Sequence, residues 1–247
     1  MSRRVVLSLT ALLALSAVAV YVRQAPLEAQ ATTCVSLPTA GHLKSYLSQA
    51  PSNGGTVGGL FNGTRMWAAV VNRDGVVCSI ATSTVDPTQV WPGSQAIAKS
   101  KAYTANAFSL DALALSTARL YTFTQPGHSL WSLGQSNLFN PAFLAAPRTP
   151  NRPGIAGGLI FFGGGVPLYR GGRIIVGLGV SGDTSCADHE IAKRVRNLAS
   201  LNPAGGMLVD DITYSSADGA SAFTHPLCPN TYRNGTFLGD EAAATGY

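Results

Sequence analysis

The stretch GGLIFFGGGVPLYRGGRIIVGLGVSGD, residues 157–183, limits what this chain can fold into more than any other. Three consecutive glycines, Gly163-Gly164-Gly165, predict a kink or bulge between a strand at Leu159–Phe162 and its continuation at Val166–Tyr169. Gly171-Gly172 predicts a tight turn, and Ile174–Val180 the returning strand. Successive strand residues alternate between faces, so Gly177 and Gly179 fall on the same one. A strand face without side chains has to be covered by something that packs very closely, either a helix of small residues or a flat ligand.

A matching helix is present. After Gly93 the sequence SQAIAKSKAYTANAFSL predicts a helix over 94–108 with an Ala/Ser-rich face, able to approach a sheet or another subunit. A first helix is expected at 39–49. An apolar hairpin follows, with strands at 66–72 and 76–82 joined by Asn72-Arg73-Asp74-Gly75. Asp111 is expected to cap a short helix at 112–120, and Asp183 or Asp188 a last one at 187–200, where Ile191, Val195 and Leu198 share a face. Residues 121–154 read as a proline-rich excursion, and 202–247 as a loop-like segment with one strand candidate at 207–213. Hairpins alternating with helices predict an α+β fold, an antiparallel sheet with packed helices. No G-x-G-x-x-G opens a helix after a strand and no G-x-x-x-x-G-K-[ST] occurs, which removes the dinucleotide and P-loop folds.

Hydrophobic residues make up 46% and charged residues 12%, so the chain can bury a core and is not a disordered one. The net charge of +5 comes from scattered basic residues without a dense run, which argues against nucleic acid as a partner. Ser2-Arg3-Arg4, the apolar run at 5–20 and Ala29-Gln30-Ala31 have the order of a secretory signal peptide spanning 1–31. An uncleaved N-terminal anchor is the alternative. No later run is long enough to span a bilayer. The expected organisation is therefore a signal peptide, a domain at 32–201 and a C-terminal segment at 202–247, in a secreted or periplasmic protein. Four cysteines, Cys34, Cys78, Cys186 and Cys228, suggest two disulfides, and three pairings are open. No C-x-x-C-H is present, so covalent c-type haem attachment is excluded.

The block from Lys99 to Arg196 resembles the GlcG/HbpS family of haem-binding proteins, related to the C-terminal domain of PduO-type proteins. The resemblance rests on Lys101-Ala102-Tyr103-Thr104-Ala105, Gly163-Gly164-Gly165-Val166-Pro167 and Gly177-Leu178-Gly179-Val180-Ser181-Gly182. Asp183 to His189 and Phe223 to Cys228 look like an exported subgroup. It implies a five-stranded, profilin- or PAS-like sheet, homo-oligomeric assembly, and haem or a related tetrapyrrole as ligand, with a corrinoid as the alternative.

Haem iron takes imidazole, thiolate, thioether or phenolate ligands. His189 lies three residues after Cys186 and His225 three before Cys228. A Cys186–Cys228 bridge, with Cys34–Cys78 as the other, would bring both histidines beside Asp183 and Asp188, and those four residues are the expected iron site. His42 on the first helix competes as axial ligand, in keeping with the family's N-terminal histidines. Lys101 is placed to reach a propionate. Tyr103, Phe162, Gly164, Gly165, Val166 and Pro167 complete the expected ring site. The plain alternative is that Asp188 caps a helix, His189 decorates its first turn and His225 sits at a turn before Pro226. Asp210-Asp211 is expected to face water. No G-x-S-x-G or H-E-x-x-H is found, so hydrolytic chemistry has no recognisable signature. Oxidative chemistry on the ligand, or an accessory module without a ligand, are the competing functions.

Overall fold

The computed structural model describes residues 34–136 and 158–243; the expected signal peptide and most of the proline-rich excursion lie outside them. Helix α1, Ala40–Gln49, opens with a capping box. The Thr39 hydroxyl accepts the His42 N–H at 3.3 Å, and His42 Nδ1 accepts the Thr39 N–H at 3.4 Å. Strands β1, Trp67–Asn72, and β2, Val77–Thr82, form the first hairpin. Its turn is fixed by Asn72 Oδ1, which accepts from the Asp74 and Val76 N–H groups, and by Gly75 at φ 82°. Helix α2 is Pro92–Phe108. Strands β3, Gly165–Arg170, and β4, Arg173–Ser181, form the second hairpin, and helix α3, Ser185–Leu198, follows.

The four strands are antiparallel in the order β2-β1-β4-β3. The implied five-stranded sheet is thus corrected to four. Residues 159–162, expected as strand, join no ladder: the Ile160 N–H binds Thr104 Oγ1, and the neighbouring Gly163 N–H binds the His225 ring. A separate two-stranded ladder, β5 (Thr231–Arg233) and β6 (Thr236–Gly239), lies in the C-terminal segment. The strand expected at 207–213 does not form, since that stretch runs through turns. The helix expected at 112–120 is replaced by a Leu110–Leu113 reverse turn and a 3-10 turn at Thr117–Leu120. Asp111 accepts the Ile174 N–H instead of capping it. Thr184, rather than either aspartate, caps α3 by accepting the Ala187 N–H.

One sheet face carries Ala68, Val70, Val166, Leu168, Val176, Leu178 and Val180 against Leu43 and Leu47 of α1 and Ile191 and Val195 of α3. The other face is a trough. Its rows are Ala69–Gly179–Gly165 and Val71–Gly177–Pro167, read across three strands. Helix α2 lies in it. A Cβ at Gly179 or Gly177 would run into the carbonyl oxygens of Ala98 and Ala102, and one at Gly165 would come within 2.6 Å of that of Lys101. Of the two covers expected for this wall, the protein's own helix is the one found. A flat ring has no surface there.

Disulfides join Cys34 to Cys78 and Cys186 to Cys228. The first ties the segment before α1 to β2; the second ties α3 to the C-terminal segment. Among the described residues no helix is long and apolar enough to cross a membrane.

Gly179→Val would force α2 off the sheet and should cost about 3 kcal/mol or more, measured by urea unfolding. Gly171→Val, at a turn with open space but φ 58°, should cost only about 1–2 kcal/mol.

Candidate functional site

The glycine kink is closed from beneath by charge. Lys101 of α2 is fully buried, and its Nζ lies 2.6 Å from Asp188 Oδ2 on α3 and 3.1 Å from the Val180 carbonyl oxygen. The Phe162 ring covers it at 4.9 Å. Burial pushes the Asp188 carboxyl up to about 6 against the pull of Lys101, and burial pushes the Lys101 ammonium down. Lys101 therefore fastens two helices across the kink and is not free to meet a propionate.

Asp183 is a clamp. Its oxygens accept the N–H groups of Leu60, Phe61 and Gly63 at 2.6, 2.8 and 3.3 Å, together with its neighbour Thr184 at 2.7 Å. Asp188 Oδ1 accepts the Asp183 N–H at 2.9 Å. Both carboxylates are consumed by the fold.

The Cys186–Cys228 bridge does bring the two histidines close, on either side of Gly163. A Cβ on that glycine would sit 3.1 Å from His189 Cβ, while its N–H points at His225 Nε2 at 3.2 Å. His225 Nδ1 lies 2.7 Å from the Pro226 carbonyl oxygen. The consistent tautomer has the proton on Nδ1, donating to Pro226, with Nε2 accepting from Gly163, so neither nitrogen is left for iron. Burial holds His225 down at about 4. His189 is fully buried, with Nε2 3.3 Å from Asp211 Oδ1. The set His189, His225, Asp183 and Asp188 does not fit haem iron: the two carboxylates and the His225 ring are engaged inside the fold, and His189, neither of whose ring nitrogens is hydrogen-bonded, is sealed in the interior.

Of the remaining expected ring contacts, Gly164, Gly165, Val166 and Pro167 are internal, while Phe162 and Tyr103 are half-buried. Val166 belongs to the core, the Pro167 carbonyl accepts from Arg196, and Gly164 packs against Asp188 and the Lys101 ammonium. Tyr103 is half-buried beside Ala69 and Val71.

The sequence reading missed a charged seam between α3 and the C-terminal segment. Arg196 pairs with Asp210 at 2.6 Å, Lys193 with Glu190 at 2.5 Å and Asp211 at 2.9 Å, and Asn234 N–H with Glu190 at 3.2 Å. Asp210-Asp211 was expected to face water and is instead buried. Burial alone would raise the Asp211 carboxyl, but the His189 ring and the Lys193 ammonium hold it far below the carboxylate range. The signal was available in ADHEIAKRVRNL, where charges occupy the whole of the helix surface outside the core stripe of Ile191, Val195 and Leu198. Near this seam a surface cleft of about 340 Å³ is lined by Asn53, Gly54, Asn197, Met207 and Leu208 together with Lys193 and Arg194.

His42 differs from the other two candidate histidines. It stands exposed at the start of α1, its ring 6.3 Å from that of Tyr46, and only Nδ1 is used, in the capping box.

Residues 60–196, which span both hairpins, α2 and most of α3, match the family described as haem degrading protein HbpS-like. The chain belongs to the HbpS-like family. No curated protein matches it significantly. Similar solved structures include Klebsiella pneumoniae protein ORFY, with 20% identity, TM-score 0.46, and 65% of this chain and 87% of that one covered. PduOC in complex with haem gives 22%, 0.45, 64% and 88%. A double mutant of Streptomyces reticuli HbpS gives 19%, 0.43, 65% and 85%. The HbpS-like segment ends at Arg196, so most of the partners of the charged seam, Asp210, Asp211 and Asn234, lie beyond it.

Two measurements check the structural assignments. Lys101→Met should cost about 3–5 kcal/mol in urea unfolding, because it strands the Asp188 carboxylate. His225 has a folded pKa of about 4 against 6.5 when free, so it binds its proton less readily when folded. Its contribution to stability is complete above pH 6.5 and fades as pH falls toward 4, by up to about 3 kcal/mol. His225→Gln should flatten the loss of stability between pH 7.5 and 5.

Proposed function

We propose that this is an exported, homo-oligomeric haem-binding protein that takes the iron through His42. Membership of the HbpS-like family over residues 60–196 carries the reading. Unlike His189 and His225, His42 is exposed, makes its one ring hydrogen bond through Nδ1 and has Tyr46 beside it. A neutral imidazole that gives Nε2 to iron carries its proton on Nδ1. The Thr39 N–H bond to Nδ1 would then be given up, a small loss because it is already long at 3.4 Å. Bound haem supplies a redox-active iron; the protein supplies the ligand and the surface around it. Export is supported by the signal-like residues 1–31 and by two disulfides, which persist in oxidising compartments. Assembly of copies is supported by Trp91, Leu110 and Leu113, each about half exposed.

The family's description favours a second reading, oxidative breakdown of the bound haem. Loss of the Soret band on adding peroxide or a reductant would select it over storage or carriage.

Titration with haemin should give a shifted Soret band. His42→Ala should weaken binding about tenfold or more and move the band, while His225→Gln should leave its position unchanged. An unshifted wild-type spectrum would remove the haem reading. A His42→Ala spectrum identical to wild type would remove the ligand assignment alone. Cobalamin, titrated in parallel, tests the corrinoid alternative.

A further inference from the structure

Cys186 Sγ, Cys228 Sγ and a ring nitrogen of His225 all lie within 4.8 Å of one another, and all three residues are buried. While the two sulfurs are bonded to each other, this cluster is only a staple. We propose that reduction of Cys186–Cys228 turns it into a Cys₂His site for a soft or borderline divalent metal ion such as Zn²⁺.

The surroundings favour the thiolate form that metals require. Thr184 caps α3, so Cys186 sits in its first turn, at the positive end of a helix of 14 residues. The Cys186 N–H already points at Cys228 Sγ at 3.2 Å, and Ser185 Oγ lies 3.3 Å from the same sulfur. Both donors stabilise negative charge on Cys228. His225 offers a ring nitrogen once that atom gives up its present partner, the Gly163 N–H or the Pro226 carbonyl oxygen. The geometry is reachable. Two thiolates bound tetrahedrally to zinc lie about 3.8 Å apart, given Zn–S distances of about 2.3 Å. The two Cα atoms, 6.0 Å apart, permit that by side-chain rotation.

The step balances. A small dithiol gives two electrons and two protons to the disulfide and becomes a disulfide itself. The metal ion then displaces both thiol protons and is held by two sulfurs and one nitrogen, with a fourth position for water. Three ligands of this kind select soft or borderline ions over Mg²⁺ or Ca²⁺. The oxidised protein holds no such site, so metal binding reports the redox state of the staple.

The test uses the protein without residues 1–31, as wild type and as Cys34→Ser/Cys78→Ser, in which Cys186 and Cys228 are the only cysteines. After reduction by dithiothreitol, confirmed by alkylation and intact mass, and removal of the reductant, Co²⁺ is titrated in and then displaced with Zn²⁺. One equivalent of Co²⁺ should bind with thiolate-to-cobalt charge-transfer absorption, and Zn²⁺ should abolish the band. Further substitution of Cys228→Ser should remove it, and His225→Gln should weaken binding about tenfold or more. The unreduced protein should show none. Absence of the band in both reduced proteins, or a band that survives Cys228→Ser, overturns the proposal. So does a loss of helical circular dichroism on reduction that Zn²⁺ fails to restore.

Discussion

Everything in this fold depends on one close approach, that of the α2 backbone to the trough formed by Gly165, Gly177 and Gly179. Helices normally meet sheets through two layers of side chains, at about 10 Å. Here one layer is missing, and peptide groups of Ala98, Lys101 and Ala102 lie on peptide groups of β3 and β4. The same helix carries Lys101, whose ammonium reaches Asp188 on α3 and the Val180 carbonyl oxygen of β4. A Cβ at Gly164 would lie 2.6 Å from the Lys101 ammonium and 2.9 Å from the Asp188 Cβ, so glycine in the kink and the lysine–aspartate bond are parts of a single arrangement.

The charged seam on α3 has a different logic. Its buried pairs spend their attraction largely on offsetting desolvation, so they specify the position of the C-terminal segment more than they add to stability. Arg196 with Asp210 and Lys193 with Asp211 fix the segment at two points, and the Cys186–Cys228 bridge fixes it at a third. A family-type core is thereby extended by a strap whose position is dictated by electrostatics.

The hairpins, the long helices and the α+β class were legible because each follows from periodicity or from a turn residue. Asn72 to Gly75, Gly171-Gly172 and the small-residue face of α2 are such signals. What was not legible had non-local causes. The kink segment 159–162 is not a strand: the Ile160 N–H and the neighbouring Gly163 N–H go to Thr104 and His225, which are 56 and 62 residues away in the chain. Asp183 looked like a cap or a ligand; only the folded loop at 60–63 shows that it collects backbone donors. Spacing to the cysteines did bring His189 and His225 together, yet proximity says nothing about whether a lone pair is free. The seam was hidden because two adjacent aspartates in a loop ordinarily face water.

The capping box of α1 has a consequence of its own. A single imidazole proton decides whether His42 returns a bond to the Thr39 N–H, while the Thr39 hydroxyl keeps its bond from the His42 N–H in either case. Any guest that fixes that proton on Nδ1 loosens this one contact, and any change that tightens the contact resists the guest. Occupancy and release of the Thr39 N–H are therefore two readings of the same tautomer, and amide exchange at Thr39 is the place where one would be visible in the other.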